Sequence, residues 1–147
     1  MHPEFSGNLY VIAVIGGQRI AVEADKVAAV VDLIDIMAVP LAPRHILGLC
    51  ALRSQIVTVV DLACALGQPS EQNSRRAITM EIDNHNYAFV VSSVERVELS
   101  LEDVHAIDAS IGSDWAAAVT GRVQTDSGLS LLLDPARLTR VKVEMVQ

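Results

Sequence analysis

Apolar residues run along this chain in short β-type stretches divided by polar turns. Leu9 to Ile15 is apolar at every position, as a strand buried on both faces should be. Ile78, Met80 and Ile82 instead alternate with Thr79, Glu81 and Asp83, which predicts a strand with one wet face.

The pattern repeats. Ile15-Gly16-Gly17-Gln18-Arg19-Ile20-Ala21-Val22 lies without a gap over Ile82-Asp83-Asn84-His85-Asn86-Tyr87-Ala88-Phe89, each reading strand, Gly/Asn turn, strand. In the same register Val27 and Val30 fall on Val94 and Val97. A second hairpin recurs further on. Gly48 precedes Asp61 by thirteen residues and Gly121 precedes Asp134 by thirteen. Between them lie the apolar runs Ile56–Val60 and Leu129–Leu133, entered through the polar turns Arg53-Ser54-Gln55 and Asp126-Ser127-Gly128.

Both runs end in an aspartate suited to cap a short helix. Asp61 leads into Leu62–Leu66 with Gly67 placed to stop it, and Asp134 is followed by Pro135, which suits the first helical position. Two hairpins in one order, each closing on a capped turn, indicate a duplicated subdomain of about seventy residues. The halves, about 9–67 and 77–140, meet at the aperiodic polar segment Gly67–Ser74. A half of that size is marginal alone. The expectation is therefore an all-β chain, 1–147 as a single domain, of two small β-barrels sharing a hydrophobic interface, with short capping helices.

Composition narrows this picture. The chain is 51% hydrophobic and 20% charged, which is globular, and with only 3% aromatics its core must be built from Val, Ile, Leu and Ala. A net charge of −7, with Arg75-Arg76 the one adjacent basic pair, argues against a nucleic-acid surface or an anionic membrane face. The longest uncharged stretch, Phe5–Gln18, is too short for a spanning helix, so no membrane insertion is expected. Met1-His2-Pro3-Glu4-Phe5 has no basic leader region, which points to a soluble cytoplasmic protein.

Candidate chemistry is sparse. Cys50 and Cys64 match neither a redox pair nor a zinc half-site and read as buried thiols. His2, His45, His85 and His105 are scattered and form no ligand cluster, and no nucleophile elbow or phosphate-binding glycine loop occurs. Glu95, Glu98, Glu102 and Asp103 read as a solvated acidic edge, since no calcium-loop spacing accompanies them. No catalytic residue, metal or cofactor is therefore expected, and the chain reads as a non-enzyme.

Ile46-Leu47-Gly48-Leu49-Cys50-Ala51-Leu52-Arg53-Ser54-Gln55-Ile56-Val57-Thr58-Val59-Val60-Asp61-Leu62 resembles the signature of the CheW family, roughly I-x-G-V-x-N-L-R-G-x-I-x-P-V-V-D-L. Ile20-Ala21-Val22 with Asp25–Val30 is similar to the family's Y-x-I-x-x-x-K-V-x-E-I segment. Pro40 and Pro43 fall in its proline-bearing loop, and Val119–Gly121 and Leu131–Asp134 are similar to its closing strands. The likeness runs from about Leu9 to Leu138.

It implies two packed, SH3-like five-stranded β-barrels. It also implies an adaptor that holds the cytoplasmic tips of methyl-accepting chemoreceptors and the regulatory domain of a CheA-type histidine kinase in one chemotaxis array. Arg53 matches the arginine associated with receptor contact, Val27 a receptor-facing valine, and Gly48 a glycine of that surface. Leu52, beside Arg53, would supply desolvated apolar area. Kinase contacts are expected on the barrel ends, with no residue assigned.

The departures are Ser54 for the turn glycine, Ala29 for the glutamate of K-V-x-E-I, and Thr58 for the proline before V-D-L. Ala29 and Ser54 both touch the receptor surface that the resemblance implies. They leave open a divergent scaffold of a non-chemotaxis kinase pathway. A second alternative is a ligand-binding β-barrel sensor with an apolar pocket between the halves.

Overall fold

The computed structural model describes residues 8–70, 73–107 and 113–139, with backbone only at 113 and 114. His2 and the rest of the leading segment lie outside these, as does the last residue of the expected second half.

Among the described residues ten strands and three one-turn helices follow one another. The first half contributes β1 (Asn8–Ile15), β2 (Gln18–Glu23), β3 (Ala29–Asp32), β4 (Ile46–Leu52), β5 (Gln55–Asp61) and α1 (Leu62–Ala65). The second contributes β6 (Arg76–Ile82), β7 (His85–Val90), β8 (Ser93–Ser100), α2 (Ser113–Ala116), β9 (Val119–Thr125), β10 (Gly128–Leu133) and α3 (Pro135–Leu138). A single 3-10 turn, Ala24–Lys26, joins β2 to β3.

The strands form two five-stranded sheets of the same design, ordered β8-β1-β2-β10-β9 and β3-β6-β7-β5-β4. The sequence repeat and the sheets do not share boundaries. Each half lends its first hairpin to the sheet built on the other half's last three strands, through the parallel pairs β2 with β10 and β7 with β5. Local pattern reveals hairpins but not this exchange, because parallel pairing joins strands remote in sequence.

In hydrogen-bonding terms the sheets are open rather than the closed barrels expected. The edges β8 and β9 approach without forming a ladder.

Alternation assigns each strand's two faces. Val11, Ala13 and Ile15 of β1 enter a large core between the sheets, together with Ile20, Val22, Ile78, Met80, Phe89 and Leu133. Tyr10 and Ile12 turn the other way, onto Ala21, Val123 and Leu132 inside the first sheet. The doubly apolar run Leu9–Ile15 is thereby explained, its first residue excepted: Leu9 remains exposed. The second sheet encloses Val57, Val59, Ala77, Ala88 and Val90. Phe89, the bulkiest of the fully buried side chains, contributes about 2–3 kcal/mol by burial alone. The wet face expected of β6 is smaller than its alternation suggests. Thr79 is buried beside β3, where its hydroxyl donates to the Ala29 carbonyl, and Glu81 is left exposed at the strand's end.

Both aspartates cap as expected. Asp61 accepts from the Cys64 amide at 3.1 Å and Asp134 from the Ala136 amide at 3.2 Å. After α1, Gly67 takes φ +77°, and the Gly67 and Gln68 amides return to the Cys64 and Ala63 carbonyls, a Schellman stop.

The acidic edge is corrected at Glu98, which is buried. Its carboxylate accepts from the backbone amide and the hydroxyl of Ser127 and lies 3.3 Å from Arg96. These bonds tie β8 to the β9–β10 turn across the unladdered seam. The Ser127 and Thr125 hydroxyls, the Ser127 amide and the nearby Arg96 charge hold its carboxyl below the usual glutamate range against the opposing effect of burial. Glu95 pairs with Arg19 at 3.1 Å, and Glu102 stands 3.5 Å from His105.

Candidate functional site

β4 and β5 meet at a two-residue turn closed by the pair Leu52 and Gln55. Its central residues, Arg53 and Ser54, have φ of +48° and +70°, the geometry of a type I′ hairpin turn. The β1–β2 turn (Gly16-Gly17) and the β6–β7 turn (Asp83-Asn84) share it, using residues that tolerate left-handed backbone. Arg53 and Ser54 do not, at a cost of about 1–2 kcal/mol per residue. Backbone strain of this kind clusters at functional positions, where surrounding structure holds it in place. Here the flanking ladder fixes the turn and the Arg53 side chain is left exposed at its tip.

Arg53 and Leu52 border a groove of about 330 Å³ at the open end of the second sheet. Leu52 is half-buried against that sheet's inner core, so one flank of the groove is fixed by packing. Ala28 and Ala29 line the facing side, Val57 and Thr79 lie within it, and Glu81, Asn86 and Tyr87 complete it. The structure thus brings Arg53, Leu52 and the substituted position Ala29 together.

Val27 stands in an adjoining depression that shares Ala28, Met80 and Glu81 with the groove. It is half-buried, packed on the core between the sheets. Beside it Lys26 is 3.2 Å from Glu23, and that hydrogen bond is the main cause raising the lysine's pKa, against some burial. Ser54 is exposed on the turn but does not line the groove.

Gly48 is different in kind. It is buried, with φ +145°, and a Cβ there would come within 2.1 Å of the Met37 carbonyl oxygen. The β3–β4 loop crosses at this point, the Met37 amide donating to Leu49 O at 2.8 Å and the Leu49 amide to Met37 O at 2.9 Å. Gly121 repeats the arrangement. A Cβ there would meet Val104 and the His105 carbonyl, and His105 bridges Arg122 through bonds of 2.9 Å in each direction. A register shift precedes both glycines, between Ile46 and Gly48 in one hairpin and between Val119 and Gly121 in the other. The thirteen-residue spacing to each aspartate thus marks a backbone crossing and a cap.

Sequence reasoning missed Glu81, Asn86 and Tyr87 as parts of the groove. It is assembled from β3, β4, β5, β6 and β7, strands of both halves, so no local motif carries it. Glu81 could have been singled out only as the last charge on an alternating strand. The loop between β3 and β4 also leaves Ile34, Met37, Val39 and Leu41 exposed, where the sequence drew attention only to Pro40 and Pro43.

Among the described residues no group of three His, Cys, Asp or Glu side chains is arranged to hold a metal. Cys50 is buried, its thiol 3.2 Å from the Ile34 carbonyl, and Cys64 is half-buried on α1. No helix among the described residues is long and apolar enough to cross a membrane.

Comparison with known proteins agrees with this architecture. The family model for the CheW-like domain matches residues 9–142. The chain is 28% identical over 121 residues to the chemotaxis protein CheW of Thermotoga maritima, covering 82% of this chain and 80% of that one. Its fold superposes on the crystal structure of the scaffolding protein TtCheW from Thermoanaerobacter tengcongensis with a TM-score of 0.81. That match covers 92% of this chain and 94% of the other at 23% identity. With a family match over nearly its whole described length and a shared fold, the chain belongs to the CheW-like domain family.

Proposed function

We propose that this protein is a non-enzymatic cytoplasmic adaptor of chemotaxis signalling, coupling the cytoplasmic tips of chemoreceptors to the regulatory domain of a CheA-type histidine kinase. The observation that carries the reading is the Arg53 turn: an exposed guanidinium on a left-handed backbone, held by a ladder beside an apolar groove. A planar guanidinium fixed at its base loses little freedom when it meets a carboxylate on a helical partner.

Within this reading Arg53 is the charged anchor, and Leu52 and Val27 provide the apolar ground around it. Ser54 sets the turn that aims the arginine. Gly48 acts indirectly, by admitting the Met37 loop behind β4. The chain works as one unit, because the exchange of hairpins ties its halves together. Glu98 fastens the open β8–β9 seam of the first sheet.

The test is binding of the purified chain to a receptor cytoplasmic hairpin and, separately, to a CheA-type regulatory domain. Arg53→Glu is expected to weaken the first and spare both the second and the melting temperature. Equal loss of both contacts, or unfolding, would refute a local receptor site.

A further inference from the structure

The groove beside Arg53 carries a second charge. Glu81, next to last in β6, lies on the same inner face as Thr79, two residues before it, and directly opposite Asn86 of β7. It is exposed, and among the described residues neither Glu81 nor Arg53 forms an ion pair with the chain's other charges. The groove that the two charges share is also lined by the apolar side chains Leu52, Val57 and Ala29. From β6 across β7 to β5 is two strand spacings, roughly 10 Å, and the registers set Glu81 level with Val57, four residues along from Arg53, so the two backbone positions stand roughly 15 Å apart. About ten residues of α-helix rise by the same distance.

We propose that Glu81 is a specificity determinant of this groove. Its occupant is then a helix with a carboxylate for Arg53 and, about three turns away on the same face, a lysine or arginine for Glu81. Opposite charges left unpaired at two places along one groove fix the direction in which such a helix lies, because the reversed orientation sets like charges together. The substitution at position 29 fits this role. Ala29 leaves the groove without a carboxylate on β3, and Glu81 supplies one from β6, the strand paired with it.

The proposal rests on the adaptor reading, and the experiment separates the two. The full chain is titrated with the cytoplasmic helical hairpin of a chemoreceptor by calorimetry at two salt concentrations, with thermal melts as the control for folding. Glu81→Lys is expected to weaken binding about tenfold and Glu81→Gln about threefold, both effects shrinking at high salt. Ala29→Glu added to Glu81→Gln is expected to restore affinity to within about twofold of the parent chain. Should Glu81→Lys unfold the protein, the Glu81→Gln and Ala29→Glu pair decides. Affinity unchanged by the Glu81 variants while Arg53→Glu abolishes it overturns the role of Glu81 and leaves the adaptor reading standing. No binding by the parent chain overturns both.

Discussion

Replacing Gly48 by alanine tests the assignment of that residue to a backbone crossing. A Cβ would sit 2.1 Å from the Met37 carbonyl oxygen and 2.7 Å from its carbon, where an ordinary contact begins near 3.4 Å. Both atoms are backbone, so relief requires the β3–β4 loop to retreat by more than an ångström. That movement breaks the two Met37–Leu49 bonds of 2.8 and 2.9 Å, worth about 1 kcal/mol each. An L-residue held at φ +145° adds about 1–3 kcal/mol. The sum, roughly 3–5 kcal/mol, is a large fraction of the ~5–15 kcal/mol that stabilises a domain. At about 2–4 °C per kcal/mol for a chain of this size, the melting temperature should fall by around 10 °C. Urea denaturation and thermal melts of Gly48→Ala and of Gly121→Ala, its counterpart in the repeat, measure this. A Gly48→Ala protein that melts within about 2 °C of the parent would refute the crossing as the reason for glycine.

Other outcomes follow from the same geometry. Ser54→Gly removes a left-handed serine and should stabilise the chain by about 0.5–1 kcal/mol, net of glycine's greater freedom when unfolded, seen as a rise of roughly 2 °C in melting temperature. Asp61→Ala removes a cap that also accepts from the Ser70 hydroxyl and should cost about 2 kcal/mol, against about 1 kcal/mol for Asp134→Ala; equal costs in urea titrations would contradict the ranking. Glu98 has a folded pKa below its unfolded one, so its contribution is full above the unfolded value near 4.5 and is lost as pH falls through the folded value. Glu98→Gln should therefore lower the melting temperature at pH 7, with a gap to the parent that narrows below about pH 4.

Much of the fold is legible because it is local. Period-two alternation placed the strands, Gly16-Gly17 and Asp83-Asn84 marked their turns, and Asp61 and Asp134 announced the caps. The duplication showed in the spacing of Gly48 and Gly121 from those aspartates. The exchange of hairpins was not legible, since the pairs Leu131 with Ile20 and Val60 with Phe89 join remote segments and leave no trace in alternation. The fate of Glu98 was hidden for a related reason. Its burial depends on Ser127, 29 residues away, reaching across a seam that only the folded sheet creates. At the groove the sequence supplied Arg53 and Leu52, which lie next to each other in a recognisable segment, whereas the close approach of the Met37 backbone to Gly48 left no local sign. Glu81 escaped notice because its relation to Arg53 passes through β7.

The central claim, that the chain bridges two partners, is tested most directly by co-sedimentation. A CheA-type regulatory domain is mixed with a receptor cytoplasmic hairpin displayed on vesicles, with and without this chain at tens of micromolar. The adaptor account predicts that the regulatory domain pellets with the vesicles only when the chain is present. With Arg53→Glu it stays in the supernatant, bound to the variant. A regulatory domain that remains unbound in every mixture, with the chain itself in the supernatant, would contradict it.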